Sequence, residues 1–408
     1  MSEADSSMYG TYGKGKHMST IAIIKKCLEN ERDFILSHID PKDKVFFFDN
    51  ENKLLLSDIL DNIEIAFGEP DIETVLAMKK LKWLQMTWAG ANKYTSSPEL
   101  FGNIILTSAS GAYGDVISEY IISGVLALYR NLFLYRSQLK DGGWNRIDKE
   151  GTLEGKRALI LGTGNIGIET AKRLKVFGTQ AIGICRTNKD NIPYFDAVYT
   201  NEYLDREIEK ADIVIIALPG TKETADLFDK ERIAKMKQDS ILVNVGRGMI
   251  VDTDALTDAL NNNCIQGAVL DVTNPEPLPE NHPIRSMENV VLTPHISGIG
   301  WGENKYTRMK IIDIFCDNLE KYRDGAVLKK FFVNREYRNR KIGLMLYQLL
   351  IDYCKTINIH TLVLDTPSVT HTAHNFYRKA GFKEIPIEDL PFKFDYPDRD
   401  SIMFIKKI

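Results

Sequence analysis

RALILGTGNIGIETAKRLKVFG, residues 157–178, is the stretch on which the fold turns. Residues 157–161 form a short apolar run, and Gly162, Gly164 and Gly167 fit the GxGxxG spacing at the turn from a strand into a helix, with Gly178 as the terminator. Each glycine has a physical task there. One allows the tight turn, one lets a pyrophosphate approach the backbone, and one lets the helix pack closely on the strand. A lone GxGxxG is weak evidence, but this one sits on a strand, opens a helix, and is followed by a second apolar run, TQAIGICR. The reading is a dinucleotide turn, with Gly162, Gly164, Asn165, Ile166 and Gly167 as cofactor-binding residues.

The flanking sequence extends this into a sheet. DIVIIALP and ILVNVG are nearly continuous apolar runs, as parallel strands covered by helices on both faces should be. Toward the N-terminus, runs such as IAII and KVFFF alternate with helix-like segments such as IETVLAMKKL, the rhythm of βαβ units. Residues 116–139 are apolar on more than one face and predict a long buried helix joining two domains. Residues 1–18, rich in Ser, Gly and Tyr, read as a disordered leader.

With 408 residues and 44% hydrophobic residues, the chain can bury more than one core. A formal net charge of −4 gives no global pull toward nucleic acid or an anionic membrane, so small-molecule chemistry is expected. No apolar run reaches the roughly 18–20 residues of a membrane span, and the polar start lacks the core of a signal peptide, so the expected location is the cytoplasm. The five cysteines lie far apart without CxxC spacing and read as reduced, packed thiols, and no metal site is expected.

Three later motifs carry chemistry: NVGRGMIVD with Arg247, VLDVTNPEPLP with Glu276, and VVLTPHISG with His295. They fall at or beyond strand ends, where ligands gather in open α/β sheets. In order, spacing and surroundings they resemble the D-isomer-specific 2-hydroxyacid dehydrogenase family, from about Ser19 to Ala326. The resemblance implies a doubly wound Rossmann domain (residues 119–297) and a discontinuous, flavodoxin-like substrate domain (residues 19–118 and 298–326). It also implies a small 2-oxo or 2-hydroxy acid as substrate and a homodimer.

A 2-oxo acid offers a ketone carbon to hydride and a carboxylate beside it, so its site needs a cation and a proton donor. Arg247 suits the first task through its planar charged fork. His295 suits the second, because imidazole titrates near neutrality, and a Glu276 carboxylate beside it favours the protonated ring. The resemblance assigns the same roles. It further puts Asp271 at the nicotinamide carboxamide, Leu218 and Pro219 along the cofactor, Ala89, Gly90 and Ala91 in a loop whose amides cradle the substrate carboxylate, and Gly111 facing the cleft. Trp88 reads as wall or core. The second strand ends in ICRTNKD, with Arg186 and Thr187 where an acid would select NAD, so NADP is expected in preference to NAD.

Met309, Ile312, Phe315, Leu319 and Tyr322 share one face of a helix that returns to the first domain. Near Leu328 the character changes. From FFVNREYRNRKIG onward the chain resembles the GNAT superfamily of acyl-CoA N-acyltransferases, with residues 331–333 as central strand and residues 338–343 matching RxxGxG, Lys341 replacing the first glycine. Ile342, Leu346, Leu349, Leu350 and Tyr353 would form the apolar stripe of the next helix. By this resemblance Arg338, Lys341, Gly343 and Asn375 would bind acetyl-CoA, and Tyr377 would protonate the departing thiolate. Only about 80 residues (327–408) remain for this domain, roughly half of it. Three functions stay open: a reductase of glyoxylate or hydroxypyruvate type, a bifunctional reductase and acetyltransferase, and a dinucleotide-sensing protein of corepressor type.

Overall fold

The computed structural model describes residues 18–48, 56–95, 97, 100, 104–148, 150–187, 191–298, 301–302, 304–324, 326–327, 342–356, 359–367, 371–386, 389–390 and 401–408. The chain divides into two compact units, Met1–Ala109 with Arg308–Ile408, and Ser110–Thr307.

The first unit begins with five parallel strands, β1 (Thr20–Ile24), β2 (Lys44–Phe47), β3 (Ile65–Gly68), β4 (Trp83–Gln85) and β5 (Ile105–Thr107), in the order β2-β1-β3-β4-β5. That order is the flavodoxin-like doubly wound one. Helices α1 (Glu29–Ser37), α2 (Ile72–Ala77) and α3 (Asn92–Thr95) connect the strands. Helix α2 starts where Asp71 accepts a hydrogen bond from the Thr74 amide, 2.7 Å, an N-cap of about 1 kcal/mol.

The second unit opens with α4 (Gly114–Tyr129) and α5 (Leu132–Lys140). The single buried helix expected over residues 116–139 is therefore two. The pair is bent by 57° at Asn131, which takes a left-handed conformation (φ 52°), one that asparagine tolerates better than most residues. Nine residues of α4 are buried, whereas α5 buries none. No single helix among the described residues is long and apolar enough to cross a membrane.

Then come β6 (Arg157–Leu161), α6 (Asn165–Val176), β7 (Gln180–Cys185), β8 (Ala197–Thr200), α7 (Leu204–Ile208), β9 (Ile213–Ile216), α8 (Lys230–Ile233), β10 (Ile241–Asn244), α9 (Thr253–Asn261), β11 (Gly267–Leu270) and β12 (Val290–Leu292). The seven strands run parallel in the order β12-β11-β10-β9-β6-β7-β8, the Rossmann arrangement with its topological switch between β6 and β9. All four residues of β9, β10 and β11 are buried, which explains why they are apolar but for Asn244 at the end of β10.

Helix α10 (Lys305–Asp324) carries the chain back to the first sheet. Phe315 packs on Phe67 and Trp83 with ring centroids 4.7 and 5.5 Å apart, and Tyr322 stacks on Trp83 at 5.3 Å. Fully burying one such phenylalanine contributes roughly 2–3 kcal/mol. Polar pairs fix the register: Asn318 donates to the Gln85 side chain at 2.9 Å, and Arg308 grips the Glu31 carboxylate at 2.7 and 2.5 Å. The expected face of Ile312, Phe315 and Leu319 is the buried one.

Beyond α10 lie β13 (Ala326–Val327), α11 (Ile342–Thr356), β14 (Thr361–Pro367), α12 (His371–Lys379), β15 (Lys383–Glu384) and β16 (Ser401–Lys407). The sheet order is β13-β14-β16-β15, with β13 parallel to β14 and the other pairs antiparallel. Tyr347, Ile351, Cys354, Leu362, Leu364, Tyr377, Phe382 and Phe404 form its core. Of the expected stripe on α11, Leu350 packs on this core beside Tyr347, Ile351 and Cys354, Leu349 is 65% exposed, and the side chains of Ile342, Leu346 and Tyr353 lie outside those described. Residues 331–333, expected as the central strand, lie outside the described residues. Of the cysteines, Cys27, Cys316 and Cys354 are buried as expected, whereas Cys264 is exposed and Cys185 half-buried.

Candidate active site

The dinucleotide turn has the geometry its glycines imply. Gly162 adopts φ +102°, and a Cβ on Gly167 would lie 2.0 Å from the Gly162 carbonyl oxygen, so helix and strand touch through backbone. A Cβ on Gly164 would meet nothing within 4 Å. The first helical bond of α6 runs from the Ile168 amide to the Gly164 carbonyl, 2.9 Å, so the amides of Asn165, Ile166 and Gly167 have no acceptor within the helix. Open space before three outward amides at the start of a twelve-residue helix fits a pyrophosphate. The Asn165 side chain lies against Gly114 of α4.

Strand β7 ends at Cys185, and Arg186 and Thr187 follow it, both exposed. Asn188 and Lys189 lie outside the described residues. Beyond β9, Leu218 packs on the core and Pro219 is exposed, its carbonyl accepting the Thr224 hydroxyl at 2.8 Å. The neighbouring Glu223 carboxyl is held below its ordinary range by hydrogen bonds from Thr221 and its own backbone, with the charges of Arg186 and Lys222 adding to the effect.

Arg247 follows β10 in a turn braced by Asn244. The Asn244 side chain donates to the Arg247 carbonyl at 3.0 Å and accepts from the Gly246 amide at 3.1 Å. Arg247 Nη1 donates to the Gly246 carbonyl at 2.7 Å, and the arginine stem fills the space a Gly220 side chain would need, with Cγ 2.9 Å from that Cβ position. His295 follows β12, and its Nδ1 pairs with Glu276 Oε1 at 2.7 Å, both side chains about half exposed. Among the described residues Nε2 has no hydrogen-bond partner, so it is the ring nitrogen available to a ligand. His295 is held at φ +57°, a conformation uncommon for a residue with a side chain.

Asp271 supports that conformation. It is 1% exposed; Oδ1 accepts from Thr293 Oγ1 and the Ile296 amide, both at 2.7 Å, and Oδ2 accepts from the Ser297 amide at 3.0 Å. The His295 amide donates to the Asp271 carbonyl at 2.8 Å. The residue expected at the nicotinamide thus has its carboxylate committed to the histidine turn. Sequence reasoning missed Asn244 and Thr293, although a polar residue closing an otherwise apolar strand, as in ILVN, is a usable signal.

In the first unit, Ala89, Gly90 and Ala91 follow β4 in an accessible loop. None of their amides donates a hydrogen bond among the described residues, while the flanking Trp88 carbonyl accepts from Ala109 at 2.9 Å. Amides left this way suit an anion. Trp88 is 43% exposed, with Lys93 Nζ 5.7 Å from its ring centroid, so it is not core. Gly111, in the second unit just before α4, is exposed with φ +102°.

In the C-terminal segment Gly343 lies in the first turn of α11 and Asn375 is exposed on α12. Tyr377 is buried among Phe376, Phe382 and Phe404, and burial, with Asp365 nearby, pushes its phenol above the ordinary value. Arg338 and Lys341 lie outside the described residues. Among the described residues no group of three His, Cys, Asp or Glu is arranged to hold a metal ion.

Comparison with known proteins places the chain in a family. The profile described as D-isomer specific 2-hydroxyacid dehydrogenase, NAD binding domain, matches residues 122–297, and that of the acetyltransferase (GNAT) family matches residues 311–382. The second match starts inside α10, whose side chains pack on the first sheet. A glyoxylate reductase of Thermofilum pendens is 35% identical over 232 residues, covering 56% of this chain and 68% of that protein. A mitochondrial formate dehydrogenase of Solanum tuberosum is 34% identical over 230 residues, covering 55% and 60%. The crystal structure of a D-isomer specific 2-hydroxyacid dehydrogenase family protein from Aeromonas salmonicida superposes with a TM-score of 0.66 at 30% identity, covering 75% of this chain and 96% of that one. With turn, arginine, and glutamate–histidine pair on one Rossmann sheet, and relatives of this similarity along most of their length, the chain belongs to the D-isomer specific 2-hydroxyacid dehydrogenase family of oxidoreductases and carries a GNAT-family segment at its C-terminus.

Proposed function

We propose that the protein reduces a small 2-oxo acid of the glyoxylate or hydroxypyruvate kind to the D-2-hydroxy acid with NADPH, as a cytoplasmic homodimer. Residues 119–297 would bind the dinucleotide, and residues 19–118 with 298–326 the acid. The observation that carries the reading is the 2.7 Å His295–Glu276 pair, which engages Nδ1 and leaves Nε2 for a substrate oxygen. A bound reduced nicotinamide supplies hydride to the ketone carbon. His295 holds the proton that the ketone oxygen takes up, and Glu276 keeps the ring turned. Arg247 binds the carboxylate and polarises the ketone. The loop of residues 89–91 offers its amides to an anion. Exposed apolar side chains on and after α5, Leu132, Phe133, Leu139 and Trp144, support a dimer. The test is NADPH oxidation with a panel of 2-oxo acids. A protein that binds NADPH but turns over none of them would overturn the reading in favour of dinucleotide sensing.

The cofactor preference rests on Arg186, exposed just after β7 at the position where an acid would select NAD. Replacing Arg186 with Asp exchanges a phosphate partner for a ribose acceptor and a repulsive charge. One charge-assisted bond is worth about 1.5–3 kcal/mol, so the NADPH to NADH ratio of kcat/KM should fall roughly 10- to 100-fold. Wild-type preference for NADH would refute the assignment.

For the C-terminal segment we propose weak affinity for acetyl-CoA and no efficient acetyltransferase activity. Dehydrogenase sequence stands where an acceptor pocket would be built. The full chain should acetylate none of a panel of amines at a useful rate. A truncation after Leu328, which keeps α10, should retain 2-oxo acid reduction. Robust acetylation would support the bifunctional alternative.

A further inference from the structure

We infer that Tyr120, in the middle of α4, is a positioning residue for proton transfer at His295, acting through Thr293 and Asp271. The inference rests on the function proposed above for His295. Tyr120 OH lies 2.6 Å from Thr293 Oγ1, and Thr293 Oγ1 lies 2.7 Å from Asp271 Oδ1. A carboxylate only accepts, so the single threonine proton points to Asp271 and the tyrosine must be the donor to threonine. The chain therefore has one direction: Tyr120 O–H to Thr293, Thr293 O–H to Asp271. Desolvation by burial, offset in part by the threonine bond, pushes the phenol to about 12, so it keeps its proton across the working range.

What this chain holds is the histidine turn. Asp271 also accepts the amides of Ile296 and Ser297, the two residues after His295, and its own carbonyl takes the His295 amide. Four hydrogen bonds thus converge on Asp271 around a residue held at φ +57°. Two rigid elements meet there. Helix α4 is clamped to the dinucleotide helix α6 by Arg173, which bonds Asp115 of α4 at 3.1 Å, and to β11 by Gly124, where a Cβ would sit 2.6 Å from Val269. Tyr120 converts that fixed helix into a fixed Thr293. Without its O–H, Thr293 keeps Asp271 as acceptor but loses the donor that sets its own rotamer, and the turn gains freedom at the imidazole.

Tyr120→Phe keeps the ring and removes one oxygen. The expected result is a fall in kcat of roughly tenfold, with KM for the 2-oxo acid and Kd for NADPH within about twofold of wild type, and a larger solvent deuterium isotope effect on kcat as proton transfer becomes limiting. Thr293→Val should lower kcat at least as much, and the double variant should be no worse than Thr293→Val alone, because both break one chain. Unchanged kcat in Tyr120→Phe, or a loss that appears in NADPH Kd instead, would overturn the inference. A second measurement needs no turnover: in protein with 13C-labelled histidine rings, the His295 signal, assigned by its absence in His295→Ala, should broaden or shift in Tyr120→Phe. An unaltered His295 signal would refute the positioning role whatever substrate the enzyme proves to use. Absence of 2-oxo acid turnover in wild type alongside an altered signal would instead count only against the proposed function.

Discussion

His295→Ala abolishes reduction, lowering kcat by about 10²- to 10⁴-fold, the range a positioned general acid contributes, while Kd for NADPH stays within about twofold. The separation follows from where the two functions reside. His295 hangs on the turn after β12 and pairs with Glu276 from the loop after β11, whereas the pyrophosphate amides belong to the start of α6 after β6. In the sheet order β12 and β11 are at one end, with β10 and β9 between them and β6, so removing the imidazole leaves the cofactor cradle intact. Stopped-flow NADPH oxidation with saturating 2-oxo acid measures the first quantity and fluorescence titration of NADPH the second. Retained turnover would remove His295 from the chemistry; a parallel loss of NADPH affinity would show that the variant had disturbed the Rossmann unit.

The parts of this site that could be read from the residues share a physical property: each is local or tied to a strand end. The glycines of the turn lie within six residues, and Arg247, Glu276 and His295 each follow a parallel strand whose apolar run marks where the loop begins. The pairing of Glu276 with His295 follows because β11 and β12 are neighbours in register, Leu270 beside Leu292. Tyr120 had no such mark. It lies among apolar residues of a helix, and its partner Thr293 is 173 positions away, so only the folded sheet brings the two hydroxyls together.

The same contrast explains the helices. Residues 116–139 read as one element because they are apolar on more than one face, and the break rests on one asparagine in a left-handed conformation. On α11 the sequence IGLMLYQLLIDYC is apolar on nearly every face, so periodicity alone cannot choose which arc meets the sheet, and Leu349 ends up outside. Helix α10 carries charged residues between its apolar ones, Lys310, Asp313 and Asp317 among them, and its buried face was legible for that reason.

Arg247→Lys lowers kcat/KM for the 2-oxo acid by roughly a hundredfold or more, with KM rising and kcat falling together. Charge is kept, so a simple electrostatic role would survive the change, and the loss measures geometry. The arginine is seated by contacts a lysine cannot reproduce: its stem fills the space over Gly220, Nη1 is anchored on the Gly246 carbonyl at 2.7 Å, and Asn244 fixes the backbone from which it projects. One arm of the fork is spent on that anchor, and the remaining donors stay in a plane whose direction the anchor sets. A lysine ammonium has no plane, and if it bonds Gly246 it leaves the substrate. Losing two charge-assisted bonds at about 1.5–3 kcal/mol each would exceed a hundredfold, and partial compensation by water brings the expected loss back toward that figure. Gly220→Ala provides the control on mechanism, because its Cβ would press on the arginine stem and should move KM in the same direction with the guanidinium still present. Wild-type substrate affinity in Arg247→Lys would remove Arg247 from the carboxylate.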